Sequence, residues 1–170
     1  MNLLKSLSIS ALILLVTINV KASQRDLNAA INNVTKTYMG IKNALVANKA
    51  TEAENNALDM VKAINAVPVK DMNDAQQKVW TATVNKLLFD SRHISESNPV
   101  DHKREHFATL STNWFSVLKV FKANTGALYK QYCPMKKAYW ISETTAVKNP
   151  YYGTGSMETC GETKETLKGN

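Results

Sequence analysis

The strongest constraint on this chain is a stripe: Leu27, Ile31, Val34, Tyr38, Ile41 and Leu45 follow one another at steps of four and three. That spacing matches the turn of an α-helix and leaves one continuous apolar face over Asp26–Ala47, which water will not tolerate uncovered. Three more segments carry the same demand. Thr51 with Glu54 reads as a capping box that starts a second helix through Ala53, Ala57, Val61 and Ile64, and Pro68 stops it. A third helix is expected from Asn73 to about His93, with Val79 or Trp80, Val84, Leu87 and Leu88 inward. The fourth has Asn98 as its cap, Pro99 at its first position and Asp101 beside the unpaired amides of its first turn. It continues inward through Leu110, Trp114, Val117 and Phe121, and Gly126 is expected to close it.

Four amphipathic helices with short connections pack most economically as an antiparallel four-helix bundle, so the fold class is all-α dominated. The C-terminal segment differs in character. Ala127–Tyr132 and Ala138–Ile141 are short, aromatic-rich runs suited to strands, Asn149–Gly153 reads as a turn, and Thr166–Asn170 as a frayed end. With no repeat or linker to set it apart, this segment is expected to cover the bundle as a loop or short β-hairpin region.

Ahead of the first helix, Lys5 precedes an apolar run from Leu7 to Val20, and Val20-Lys21-Ala22 fits a signal-peptidase site. Residues 1–22 are therefore expected to be an export signal and residues 23–170 a single helical-bundle domain with a Cys/Met loop region at its end. Localisation in the periplasm follows, with no stable membrane insertion after cleavage, since no second apolar run has spanning length. The formal net charge is +7, of which Lys5 and Lys21 belong to the leader, and Lys103-Arg104 and Lys136-Lys137 are the only adjacent basic pairs in the mature part. Scattered charge of this kind, on an exported chain, speaks against nucleic acid as a partner.

The residues that could carry chemistry fall into two groups. All three histidines, His93, His102 and His106, lie within RHISESNPVDHKREHF. His102 and His106 share a helical face, and the short connection can bring His93 beside them. Glu96, Asp101 and Glu105 are candidates to orient the rings, while Lys103 and Arg104 occupy the places where a zinc-protease helix would carry its glutamate. Two exposed, unliganded histidines are the plainer alternative. The second group is sulfur: Cys133 and Met135 in C-P-M, then Met157 and Cys160 in GTGSMETCGE. If C-P-M is extended, Cys133 and Met135 point the same way. Soft sulfur favours Cu(I), whereas imidazole widens the choice to Cu(II), zinc or nickel. Copper is the first expectation, with zinc or silver as substitutes. A Cys133–Cys160 disulfide competes with this reading, and by loop closure would contribute roughly 3 to 4 kcal/mol to stability. Nothing in the pattern signals an enzyme: a redox C-x-x-C, a glycine-rich phosphate loop and a hydrolytic constellation are all missing.

Four motifs, D-S-R-H-I-S-E-S (Asp90–Ser97), R-E-H-F-A-T-L-S (Arg104–Ser111), Y-C-P-M (Tyr132–Met135) and N-P-Y-Y-G with M-E-T-C-G (Asn149–Gly161), occur here in one order. Together they resemble a bacterial domain family of unassigned function, common in Bacteroidetes. Its members are small exported proteins or the C-terminal domain of periplasmic adaptor subunits of copper/silver efflux systems. The resemblance implies metal handling in the envelope, with ligands drawn from His93, His106, Cys133, Met135 and Cys160, and with His102 and Met157 as looser matches. A periplasmic efflux adaptor or another copper-handling protein is the implied partner. One departure is the link between C-P-M and Ala138–Ser142: only Lys136-Lys137 stands where typical members have a longer, glycine-containing segment.

The expected function is thus a soft-metal-binding protein that buffers the ion or passes it to an efflux system. The alternative is a non-catalytic structural or interaction module with a disulfide-stapled tail; a binder of small organic ligands, suggested by the aromatics alone, comes third.

Overall fold

A computed structural model describes residues 3–97 and 99–170, with side chains from Ser23 onward. The proposed leader and the capping role of Asn98 lie outside the described side chains. Among the described residues, no helix is long and apolar enough to cross a membrane.

The four expected helices are present: α1 (Leu3–Val46), α2 (Ala50–Asn65), α3 (Asp74–Glu96) and α4 (Val100–Phe121), with a short 3-10 turn at Val69–Asp71. Consecutive helices are neighbours and α1 also meets α4, which closes the bundle. All six residues of the opening stripe are fully buried, as are Ala53, Ala57, Leu87, Leu110, Trp114 and Val117. Each such large apolar side chain contributes about 1.5–3 kcal/mol by leaving water.

Helix ends depart from expectation in instructive ways. At α3, Asn73 and Gln76 form a reciprocal capping box, both hydrogen bonds being 3.0 Å. At α2 the expected box is absent: the helix begins one residue before Thr51, with Lys49 as its N-cap and no side chain capping it. Glu54 is drawn instead to a distant partner, Lys103 of α4. Pro99 is the N-cap of α4 rather than its first residue, and the helix ends not at Gly126 but at Lys122, which takes the left-handed conformation at φ 48°.

Three antiparallel strands follow, β1 (Leu128–Cys133), β2 (Ala138–Ser142) and β3 (Glu162–Leu167), in the order β2-β1-β3. β1 and β2 form the expected hairpin, with Cys133 opposite Ala138. The far C terminus is less frayed than expected, because Thr166 and Leu167 pair with Tyr129 and Leu128. The sheet seats on the bundle through Trp140 and Ile141, both fully buried, and through one polar fastening. Tyr38 of α1 shares a 2.7 Å hydrogen bond with Ser111 of α4 and accepts one of 3.0 Å from the Ile141 amide of β2. A second fastening is Arg104 of α4, which donates to the Pro150 carbonyl at 2.9 Å and to Asn48 Oδ1 at 2.5 Å. Gly153, at φ +67°, passes so close that an added Cβ would fall 2.1 Å from Asn48 Oδ1.

Because a buried N–H stripped of its acceptor loses its water without compensation, Tyr38→Phe should destabilise the protein by about 1–3 kcal/mol in urea unfolding. Wild-type stability in that variant would mean that the phenol does not hold the sheet to the bundle.

Candidate metal centre

His93 occupies the last turn of α3, and His102 and His106 stand one turn apart near the start of α4. Their ligand nitrogens all lie within 4.8 Å of one another, and all three residues are half-buried. His93 and His106 stack at 4.5 Å between ring centroids, while the ring of His102 meets that of His106 edge-on at 4.7 Å. Phe89, one turn before His93 and more than half exposed, lies against His93 at 4.2 Å and His106 at 5.6 Å.

Two rings are held by carboxylates. His106 Nδ1 lies 3.0 Å from Asp90 Oδ1, and Thr109 donates to the other Asp90 oxygen at 2.7 Å. Asp90 is buried, so this contact is sheltered from water. With Nδ1–H committed to Asp90, Nε2 of His106 is left as an acceptor for an ion, and the carboxylate raises its basicity. Nδ1 of His102 makes a longer contact, 3.3 Å, with exposed Glu105. Of the other expected orienting groups, Asp101 pairs with Arg104 at 3.0 Å and Glu96 is exposed.

The α3–α4 corner is itself pinned by Lys103. Its side chain is fully buried and its ammonium donates to the Ile94 carbonyl at 2.9 Å, contacts the Ser97 carbonyl, and pairs with Glu54 at 2.9 Å. Asp90, Thr109 and Lys103 are the functional residues that pattern reading did not single out. Asp90 carried a usable signal: it lies three residues before His93, on a shared helical face. Lys103 carried none, because two of its partners are backbone carbonyls, which every residue has, and the third, Glu54, lies on a distant helix.

The sulfur residues form a different cluster. Cys133, fully buried, and half-buried Cys160 are free thiols whose sulfurs lie 3.3 Å apart. Burial alone pushes the Cys133 thiol up. Hydrogen bonds outweigh it, from the Lys136 amide first and then from Cys160, Asn149 and the Met135 amide, so the group ends below the ordinary cysteine value. The same contact acts oppositely on Cys160, where the hydrogen bond to Cys133 raises the value and burial adds to it. Met135 does not accompany Cys133. C-P-M is not extended: β1 ends at Cys133, Pro134–Lys137 form the hairpin turn with Lys137 at φ 50°, and Met135 is 68 % exposed. Met157 is half-buried and contributes a backbone carbonyl that accepts from the Cys160 amide at 3.0 Å.

Among the described residues, the convergent set of potential ligands is the three histidines, without a cysteine. Helical geometry separates the two groups. Arg104 points from α4 toward the C-terminal segment through Pro150, and His106, two residues on, projects from nearly the opposite side of the helix. The expected mixed cluster is therefore divided into an imidazole corner between α3 and α4 and a dithiol at the end of β1.

Fold and site together define a helical bundle, capped by a small sheet, with an imidazole corner suited to a transition-metal ion. A family model described as "Protein of unknown function (DUF3347)" matches residues 34–126, more than half of the chain, and the protein belongs to that family. The matched segment contains all three histidines and stops before Cys133. No curated protein and no solved structure matches the chain.

If Asp90 sets the orientation and basicity of His106, Asp90→Asn should weaken metal binding about 10- to 100-fold with every ligand still in place. Isothermal titration with Zn(II) measures this; an unchanged affinity would remove Asp90 from the site.

Proposed function

We propose that the protein is a metal-binding protein of the cell envelope, most suited to copper, which buffers the ion or hands it to an efflux system. The observation that carries this reading is the convergence of three imidazoles from two helices within 4.8 Å, one of them held by a buried carboxylate. Three protein nitrogens leave a position open for water or for a donor from another protein. An ion held in this way can be exchanged one ligand at a time, with no bond of a substrate broken, and the chain serves as a carrier rather than an enzyme.

The donor set refines the choice of metal. Imidazoles favour borderline ions, and among divalent first-row ions copper binds such sites most strongly, ahead of nickel and zinc. Cu(II), with zinc as a substitute, therefore suits the corner. The argument for Cu(I) and silver rested on sulfur, which lies in the other cluster. Export to the periplasm rests on the leader-like first 22 residues, and a partner in a copper-efflux adaptor rests on the motif resemblance.

One observation supports a second reading, a structural module of the envelope with a stapled tail: Cys133 and Cys160 already touch. The third, a binder of organic ligands, has less support. A groove of about 1250 Å³ lies between α1, α2 and the segment from Asn124 to Tyr129. Asparagines such as Asn32, Asn43 and Asn56 line it, with Tyr129 its one aromatic.

Titration of the purified protein with Cu(II), and anaerobically with Cu(I), separates these readings. The expected result is one ion per chain, lost when His93 and His106 are both replaced by alanine and retained when both cysteines become serine. Absence of stoichiometric binding to the wild-type protein would favour the structural module.

A further inference from the structure

The dithiol at the end of β1 has no part in the imidazole corner, yet its geometry is that of a working pair. The two sulfurs are in contact at 3.3 Å but differ in access: Cys133 is fully buried and Cys160 is half-exposed. The surroundings hold both in place. The Lys136 amide of the hairpin turn points at Cys133 Sγ from 3.4 Å. On the other side, Asn149 donates to the Cys160 carbonyl at 2.6 Å, and the Cys160 amide donates back to Met157. Gly161, at φ +150°, lets the chain turn beneath Trp140, where an added Cβ would come within 2.6 Å of the indole. The exposed turn residues Lys136 and Lys137 add positive charge next to the pair.

We propose that Cys133 and Cys160 form a thiol–disulfide exchange site for small anionic disulfides, with Cys160 as the entry sulfur and Cys133 as the resolving one. Only Cys160 can be reached from solvent. Cys160 Sγ, giving its proton across the 3.3 Å contact to the ionised form of Cys133, attacks one sulfur of the incoming disulfide; a Cys160–S bond forms, the incoming S–S bond breaks, and one thiolate leaves. Cys133, already in contact, then attacks Cys160 Sγ; the intramolecular S–S bond forms, the mixed disulfide breaks, and the second thiolate leaves. The two electrons lost by the protein reduce the incoming disulfide to two thiols, which carry away the two protons. Excess small dithiol runs the sequence backward. The site is therefore a reversible redox modification site, independent of the histidines.

Oxidised glutathione is a suitable probe, with intact-mass and free-thiol measurements on the reduced, purified protein. The wild-type chain should go from two free thiols to none, become lighter by two hydrogens and carry no glutathione; dithiothreitol should restore both thiols. In Cys133→Ser the exchange should stop halfway, with a lasting glutathione adduct on Cys160. In Cys160→Ser the buried Cys133 should stay unmodified. The His102→Ala/His106→Ala variant should be oxidised like the wild type, which separates this test from that of metal binding. A wild-type protein that keeps its thiols or accumulates a stable adduct would overturn the proposal, as would rapid adduct formation on Cys133 in the absence of Cys160.

Discussion

The ammonium group of Lys103 is the constraint on which the candidate centre depends. A charge that is completely buried is unfavourable unless it is paired and hydrogen-bonded. Here it is satisfied by the Ile94 and Ser97 carbonyls at the end of α3 and by Glu54 of α2. Those carbonyls have no partner of their own within the helix, so one side chain meets the needs of a helix end and of its own charge at once. The result is that the end of α3 is tied to α4 and α2. His93 then stands beside His102 and His106.

α4 organises the molecule by its two sides. One carries Phe107, Ser111 and Trp114, buried beneath the sheet and joined to it by the Tyr38–Ser111 hydrogen bond and the amide of Ile141. Tyr38 and Phe107 stack at 5.1 Å, and Phe107 lies 6.1 Å from Tyr151, continuing the same aromatic layer toward the dithiol. The other side carries His102 and His106 toward α3, with Asp90 and Thr109 buttressing the ring of His106. A single helix thus separates an imidazole chemistry from a thiol chemistry by the angle between neighbouring residues.

Much of this was legible in the sequence. The stripe from Leu27 to Leu45 predicted a buried face that the fold shows residue by residue, because a 3.6-residue period is a local property. The strands at Leu128–Cys133 and Ala138–Ser142, and the proximity of the three histidines, were legible for the same reason. Features decided by distant partners were not. Glu54 looked like the second half of a capping box, but a buried ammonium from α4 offers a carboxylate more than an exposed helix start does. Met135 seemed to share a face with Cys133; that rule holds for extended backbone, and Pro134–Lys137 turn instead. The division of histidines from thiols is a property of helix faces in three dimensions, and linear motifs that lie close together in the chain do not reveal it.

The central claim is that a metal ion is held by nitrogen in the corner between α3 and α4, apart from the sulfur of the C-terminal segment. X-ray absorption spectroscopy of the protein loaded with one equivalent of Zn(II) tests it most directly. The predicted spectrum has a first shell of light scatterers at about 2.0–2.1 Å with the multiple scattering of imidazole rings. A sulfur shell at about 2.3 Å would place the ion on Cys133 and Cys160 and contradict the account.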